Sequence, residues 1–313
     1  MKPVSSPNSD QISAIVRRMV RECCALNGHA GPLPTSPADL FHSPAAKALK
    51  QEIIRAGRKL WQRQYVDGNG GNISARISPQ YVICTPTLCS KADLDEDDLS
   101  LVDLNNRQIV GTRPHTSEIL LHLEIYKIVP RARAVIHCHP VHATAHAIAG
   151  VVPQGNLLPE QEVFVGPVAL APYETPGTPA FARTIRPFAK RHNTILLANH
   201  GIVCWADTVT HAEWYTEVIE TYCRTVMMAS QLRSPLPEIP PEKIPDLLAL
   251  KKKWGLPDAR FQEDPESEAV PAPEFTSPDG VASGLSQAAL EELVSTLTAE
   301  IAQFLDSKHE KCG

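Results

Sequence analysis

The stretch at 134–140, "AVIHCHP", places two histidines one residue apart at the end of an apolar run. Residues two apart on a strand point to the same face, so His137 and His139 are predicted to aim both imidazoles at one point. Cys138 then faces the packed interior, and Pro140 ends the strand. Two neutral imidazoles on a rigid strand suit a divalent transition metal, most often zinc, although two surface histidines would give the same pattern.

A second apolar run ends in the same way. The stretch "ILLANHG" (195–201) places His200 at a predicted strand end, directly before Gly201. Three histidines with one open position are typical of a catalytic zinc site. The stretch "HTSEILLHLEIYK" (115–127) adds Glu118 at the start of a predicted helix. Beside a metal, this carboxylate could ligate the ion or act as a proton-transfer base.

The remaining candidates for metal ligands have simpler interpretations. His122 lies four residues after Glu118, and it is interpreted as a packed histidine behind the ligands. His142 and His146 form a helical pair without a suitably spaced carboxylate, so they are predicted to be structural or surface residues. Glu124 is interpreted as a solvated helix residue.

Three loops rich in glycine, asparagine or small hydroxyl side chains are candidates for binding a phosphate. They are "DGNGGNISAR" (67–76), "TPTLCSK" (85–91) and "HTSE" (115–118). Glycine lets backbone amides turn toward an anion, and the last loop opens a predicted helix, whose free amides favour phosphate. A tight turn would explain the first loop equally well. Together, the loops predict a small phosphorylated substrate beside the metal.

Strand-like and helical segments alternate irregularly between residues 46 and 233, which predicts a layered α/β domain. Residues 1–45 form a predicted N-terminal extension with an amphipathic helix near 10–26. Residues 234–284 have the composition of a proline-rich linker, with a short helix near 242–253. Residues 285–313 carry a second amphipathic helix.

The overall composition excludes some classes of protein. A formal charge of -5 is too small to indicate binding to nucleic acid or to a membrane surface. The eight cysteines form no C-x-x-C pair, which favours reduced thiols, and no apolar run reaches the roughly 20 residues of a membrane span. The composition therefore predicts a cytoplasmic protein.

Five motifs in this order resemble the class II aldolase/adducin family over about residues 47–232: "GNIS" (71–74), "TPT" (85–87), "TSE" (116–118), "HCHP" (137–140) and "NHG" (199–201). The chain looks most like fuculose-1-phosphate and rhamnulose-1-phosphate aldolases. The resemblance implies a three-layer α/β/α sandwich around a mainly antiparallel sheet, and a homotetramer. It implies one zinc ion per subunit held by His137, His139 and His200, with Glu118 as ligand and base. The implied phosphate site comprises Gly71, Asn72, Thr87, Thr116 and Ser117.

The implied reaction cleaves a deoxyketose 1-phosphate, either L-fuculose 1-phosphate or L-rhamnulose 1-phosphate, to dihydroxyacetone phosphate and lactaldehyde. The alternatives are a zinc-dependent 4-epimerase of the ribulose-5-phosphate type and a noncatalytic adducin-like binding module. The chain departs from the family pattern at Leu88, where the T-P-T-G loop usually has glycine. The tyrosine proton donor of the family is also missing from "VVPQGNLLPEQEVFVG" (151–166), which leaves Glu160, Glu162 and Tyr173 as open candidates.

The amphipathic helix at 285–306 follows about 50 residues of linker composition, and it resembles the encapsulation peptides that direct enzymes into bacterial microcompartments. This resemblance implies a shell protein as partner and a location inside a microcompartment. Disorder, or docking on the protein's own oligomer, are the alternatives for this helix and for the one at 10–26.

Overall fold

The structure, a computed structural model, describes residues 36–261. Within this range eight strands form one sheet in the order β4-β3-β2-β1-β5-β8-β7-β6. The strands are β1 (Asn72–Arg76), β2 (Tyr81–Cys84), β3 (Ser100–Asp103), β4 (Gln108–Val110), β5 (Ala134–Cys138), β6 (Ala169–Ala171), β7 (Thr194–Leu197) and β8 (Gly201–Ala206). Only the pairing of β6 with β7 is parallel in this sheet. The predicted mainly antiparallel sheet is confirmed.

Helices cover both faces of the sheet. They are α1 (Pro37–Phe41), α2 (Pro44–Gln62), α3 (Ile119–Ile128), α4 (Val141–Ala149), α5 (Pro159–Phe164), α6 (Pro179–Arg183), α7 (Val209–Leu232) and α8 (Ile244–Lys253). Apolar side chains of α2, α4 and α7 share one buried core with the sheet, and those of α3 and α6 share the other. The three-layer α/β/α arrangement predicted from the sequence is therefore confirmed.

Strand β5 shows how the alternation of side chains builds the two cores. Ala134, Ile136 and Cys138 belong to the core under α2, α4 and α7, whereas Val135 belongs to the core under α3. A fully buried side chain such as Ile136 contributes about 1.5–3 kcal/mol through the hydrophobic effect. His137 shares the face of Val135, so burial of the apolar residues on both sides fixes the direction of its imidazole.

Two predicted elements are shorter than expected. The pattern of residues 179–191 predicts one helix, but a helix forms only at Pro179–Arg183, because Pro187 lacks an amide donor and cannot continue the helix. The apolar run at 194–200 is a strand only over Thr194–Leu197, and residues 198–200 form the turn into β8. This shortening leaves His200 in a turn, directly before the first residue of β8.

Helix α8 lies within residues 234–284, whose composition predicts a linker with a short helix near 242–253, and it packs against α5. Trp254 stacks on Phe164 with ring centroids 5.5 Å apart. A set of four charged side chains, here called the Lys251 cluster, fastens the segment: the Lys251 Nζ lies 3.1 Å from Asp258 Oδ2, Arg260 binds Asp258 with two donors at 2.8 Å, and Arg260 Nη1 lies 2.8 Å from Glu162 Oε2.

The two predicted terminal amphipathic helices, near 10–26 and 285–306, lie outside the described residues. Within residues 36–261, no helix combines the length and the apolarity that crossing a membrane requires.

Candidate metal centre

The three predicted histidine ligands meet at one point. His137 and His139 come from the end of β5, and His200 comes from the turn before β8, which pairs with β5. One ring nitrogen from each of the three histidines lies within 4.8 Å of the other two. The Nε2 atoms of His137 and His139 are 3.0 Å apart. A strand end and the neighbouring turn therefore supply a compact set of nitrogen donors.

Burial keeps these imidazoles neutral. It lowers the pKa of His137 and of His139 to about 3, and it also lowers the pKa of His200. The Nδ1–H of His137 donates to the carbonyl oxygen of Ile202 over 2.8 Å. This hydrogen bond fixes the tautomer, so the Nε2 lone pair points into the centre and is free to bind a metal.

Two glycines make room for this cluster. A Cβ atom on Gly201 would lie 2.6 Å from His139 Cδ2 and 2.5 Å from the carbonyl oxygen of Cys138. A Cβ atom on Gly71, whose φ is +68°, would lie 2.5 Å from the Val66 side chain. Any larger residue at either position would push the strand end away from its neighbour.

Glu118 brings its carboxylate to the same point. Its Oε2 lies 3.3 Å from His137 Nε2, and its Oε1 lies 3.5 Å from His200 Nε2. Glu118 precedes the first residue of α3, so the helix start positions it beside the β5 strand end. The structure thus brings together all four residues that the sequence predicts around a metal.

The donor set fits a divalent cation. Neutral imidazole nitrogens and a carboxylate are ligands that zinc and similar transition metals prefer. Glu118 Oε1 and His200 Nδ1 are buried and have no hydrogen-bond partner within residues 36–261. A buried polar atom without a partner costs about 1–3 kcal/mol, and coordination by a cation would remove this cost for the carboxylate oxygen.

The three predicted phosphate loops lie side by side. The amide of Thr116 donates to the Thr85 carbonyl over 3.0 Å, and the amide of Thr87 donates to the Pro114 carbonyl over 3.1 Å. Thr85 in turn hydrogen-bonds with the backbone of Ile73 in β1, through both its amide and its hydroxyl group. Hydrogen bonds thus join the loops that carry Gly71, Asn72, Thr87, Thr116 and Ser117.

The residues of these loops differ in how they are used. The Asn72 side chain is turned toward the centre, where its Nδ2 donates to Glu118 Oε2 over 2.8 Å. Thr116 is buried, whereas Ser117 is exposed and Thr87 is partly exposed. Leu88, which stands in place of the usual glycine, has a φ of +50° and leaves 78% of its surface exposed. Leu88 therefore adopts the left-handed backbone conformation that favours glycine, which costs a residue with a side chain about 1–2 kcal/mol.

Lys91 is a further candidate for contacting a phosphate, and no sequence pattern indicates it. Its side chain is buried, and its Nζ donates to the carbonyl oxygens of Asn69 and Cys89 over 3.1 and 2.5 Å. Lys91 thereby joins two of the predicted phosphate loops with a positive charge. A lysine among loop residues gives no sequence signal for burial, because its long side chain reaches solvent in most loops.

The candidates for proton donor occupy different environments. Glu162 is 2% exposed and committed to Arg260 and to the amide of Asn156. Glu160 is exposed, and Tyr173 is 56% exposed. Glu160 and Tyr173 are therefore the candidates whose polar groups reach solvent.

His142, His146 and Glu124 have structural partners. His142 Nδ1 lies 2.6 Å from Glu220 Oε1, and His146 Nδ1 lies 3.0 Å from the carbonyl oxygen of His142. Glu124 is buried and paired with Arg186, so its interpretation as a solvated residue is wrong. The exposed Arg186, from the chain after α6, thereby covers the Glu124 carboxylate.

Comparison with known proteins identifies the class. The family of the class II aldolase and adducin N-terminal domain matches residues 51–227, more than half of the chain. The chain belongs to this family, and it is an enzyme of the class II aldolase type.

Relatives of two named activities are similar to the chain. A 3-oxo-tetronate 4-phosphate decarboxylase of Cupriavidus necator is 34% identical over 176 residues, which cover 55% of this chain and 80% of the relative. An L-fuculose phosphate aldolase of Methanococcus vannielii is 34% identical over 170 residues, which cover 54% of this chain and 91% of the relative. The YgbL protein of Klebsiella pneumoniae matches in structure with a TM-score of 0.60 and 28% identity, covering 64% of this chain and 98% of that one.

Proposed function

We propose that the chain is a zinc-dependent aldolase that cleaves L-fuculose 1-phosphate or L-rhamnulose 1-phosphate to dihydroxyacetone phosphate and lactaldehyde. The observation that carries this proposal is the convergence of three neutral imidazoles and the Glu118 carboxylate beside three loops suited to phosphate. His137, His139 and His200 would hold the ion, and Glu118 is close enough to share it.

Each group has a defined role in this reaction. A dication held by the imidazoles would stabilise the negative charge that develops when the bond between C3 and C4 breaks beside the carbonyl. The C4 hydroxyl would give its proton to the Glu118 carboxylate, directly or through Glu160 or Tyr173, and become the aldehyde, while the bonding electrons pass to C3 as an enediolate. Glu118 then delivers a proton to C3, which completes dihydroxyacetone phosphate. The loops around Asn72, Thr87 and Ser117 would position the phosphate.

Decarboxylation of 3-oxo-tetronate 4-phosphate is the second candidate. It is favoured by the Cupriavidus necator relative, which is named for this reaction. Loss of carbon dioxide from this substrate leaves the same three-carbon enediolate phosphate, so the same metal, base and phosphate loops would serve. The two candidates differ only in the fragment that leaves: an aldehyde or carbon dioxide. The 4-epimerase alternative would rejoin the fragments and release neither.

Purified protein loaded with zinc should therefore be offered fuculose 1-phosphate, rhamnulose 1-phosphate, ribulose 5-phosphate and 3-oxo-tetronate 4-phosphate in parallel. We expect dihydroxyacetone phosphate and lactaldehyde from one of the first two substrates. Carbon dioxide from the fourth substrate alone would replace the aldolase by the decarboxylase. An epimer without dihydroxyacetone phosphate would favour the epimerase, and a chain that binds no metal would favour the adducin-like module.

The assembly and location belong to the same proposal. A homotetramer, and delivery by the 285–306 segment to a microcompartment shell within the cytoplasm, would suit an enzyme that releases a volatile, reactive aldehyde. Sedimentation of the full chain tests the assembly. Fusion of residues 285–313 to a fluorescent protein tests the targeting: it should co-purify with shells, and diffuse fluorescence would contradict it.

A further inference from the structure

A line of buried hydrogen bonds runs from Glu118 into the seam between α3 and β1. Glu118 Oε2 accepts from Asn72 Nδ2 over 2.8 Å, and Asn72 Oδ1 lies 2.6 Å from His122 Nε2. His122 Nδ1 lies 2.7 Å from the Ser74 hydroxyl, which lies 2.9 Å from the Tyr126 hydroxyl. Asn72 and His122 thus connect a candidate metal ligand to groups deep in the core.

The spacing of these residues follows the two secondary structures. Glu118, His122 and Tyr126 are four residues apart, so they lie along one face at the start and body of α3. Asn72 and Ser74 are two residues apart on β1, so they share one face of the sheet. The facing rows interlock, and each polar side chain of one row bonds with the other row.

The hydrogen bonds have one consistent direction. Burial lowers the pKa of His122 to about 3, so its ring is neutral and carries one proton. The oxygen of Asn72 can only accept, so that proton sits on His122 Nε2. His122 Nδ1 must then accept from the Ser74 hydroxyl, and the Tyr126 hydroxyl donates to the Ser74 carbonyl over 3.0 Å.

This direction has a consequence for the two oxygens of Glu118. The His122 proton holds the Asn72 amide with its oxygen inward and its Nδ2 donor outward. That donor occupies Oε2, whereas Oε1 is buried without a hydrogen-bond partner in the described part of the chain and lies 3.5 Å from His200 Nε2. The two oxygens are therefore distinct before any ligand binds.

We propose that Asn72, His122, Ser74 and Tyr126 form a positioning chain that holds Glu118 by Oε2 and reserves Oε1 for the metal and the substrate proton. The assignment of Oε1 rests on the proposed role of Glu118. None of the three inner residues touches the reacting atoms, so their effect passes through Asn72. The positioning chain defines one orientation of the Glu118 carboxylate, and loss of any of its residues allows other orientations.

The test compares buried hydroxyl groups that belong to the positioning chain with buried hydroxyl groups that do not. Ser74→Ala removes the donor to His122, and Ser100→Ala is its matched control, because Ser100 is equally buried but donates to the Arg113 carbonyl. Tyr126→Phe has Tyr222→Phe as control, because the Tyr222 hydroxyl donates to the Gln154 carbonyl instead. Zinc affinity by chelator competition, kcat and KM are measured on each full-length variant.

We expect Ser74→Ala to weaken zinc binding and to lower kcat about tenfold, with KM unchanged within about twofold, as is usual for groups that orient metal ligands. Tyr126→Phe should lower zinc affinity and kcat about threefold each, since Ser74 keeps its own hydrogen bond to His122. Both controls should match the wild type in zinc affinity and kcat.

Equal zinc affinities for Ser74→Ala and Ser100→Ala would overturn the positioning chain. The zinc measurement also separates this proposal from the aldolase reaction. A wild-type protein that cleaves none of the sugar phosphates would refute the reaction, while the difference in zinc affinity between the two serine variants would still support the chain.

Discussion

The Lys251 cluster and the histidine centre are both buried polar groups, but their charges are matched to different degrees. In the Lys251 cluster two cations, Lys251 and Arg260, meet the carboxylates of Asp258 and Glu162. The histidine centre has three neutral imidazoles around the single carboxylate of Glu118. Within residues 36–261 the charges of the first cluster balance, two cations against two carboxylates, whereas the second cluster combines three neutral nitrogen donors with one carboxylate and no cation. A buried cluster of metal-ligand types without a matching cation is thus a better sign of function than burial alone.

The largest expected effect separates catalysis from stability. Glu118→Gln keeps the shape of the side chain but removes its charge and its proton-transfer capacity, so kcat should fall about 10²–10⁴-fold. The free energy of unfolding should change by less than about 1 kcal/mol, because Asn72 can still donate to the amide oxygen. Turnover assays and urea unfolding measure the two quantities. Unchanged turnover would remove Glu118 from the mechanism.

The reverse pattern is expected in the Lys251 cluster. Lys251→Met leaves Asp258 with one of its two cations, and breaking a buried ion pair costs about 3–5 kcal/mol of unfolding free energy. Lys252→Met is the matched control, because Lys252 is exposed and next in sequence. Urea unfolding compares the variants. Zinc affinity should equal that of the wild type, and a variant that loses zinc but not stability would contradict the separation of the two regions.

Removal of metal should affect only the histidine centre. A ligand that binds the folded state at a hundredfold excess over its Kd stabilises it by about 2.7 kcal/mol. Zinc should therefore raise the thermal unfolding temperature of the wild type and of Lys251→Met, and a chelator should reverse the increase. His200→Ala should lose most of the increase. An equal response to zinc in His200→Ala would place the ion elsewhere.

The stability of the metal-free protein is also expected to depend on pH. The buried His122 and His137 have a pKa of about 3, against an ordinary value of 6.5, so the unfolded chain binds more protons below pH 6.5. Stability should fall as pH falls from 6.5 toward 5, by up to about 1.4 kcal/mol per pH unit for each histidine. The pKa of Asp258 is held below its ordinary 3.8 despite burial, chiefly by its hydrogen bond from Arg260, so the Lys251 cluster should not change there.

Urea unfolding at pH 7 and pH 5 checks this expectation. His137→Asn should show a shallower dependence on pH than the wild type, and Lys251→Met should show the same dependence. An identical slope in all three proteins would contradict the assignment of neutral histidines.

The sequence predicts the strand-end histidines because two elementary periodicities meet there. An apolar run with two residues of one face at its end defines both direction and position. Strand β5 ends at Cys138, between the two histidines, whereas β7 ends at Leu197, three residues before His200. The mainly antiparallel sheet came from the resemblance of five motifs, since the local pattern alone cannot pair strands. Glu118 could be predicted from the sequence because it stands directly before a helix with an apolar pattern.

The partners of the inward-facing polar residues could not be predicted in the same way. The stretch "LKKKWG" (250–255) has three adjacent lysines with equal local signals, yet only Lys251 turns inward to a carboxylate seven residues later. Ser74 and Tyr126 look like ordinary strand and helix residues, because hydrogen bonds between α3 and β1 depend on how the helix packs on the sheet. Glu124 was misjudged for the same reason.

The position of His200 in the turn between β7 and β8 has one further consequence. An ion bound by His200 and the two β5 histidines would tie this hairpin to the centre of the sheet, across the pairing of β5 with β8. Opening of the hairpin would then require release of the ion. Amide hydrogens at 197–203 should therefore exchange with deuterium more slowly when zinc is present, while those of the distant β3–β4 hairpin keep their rates.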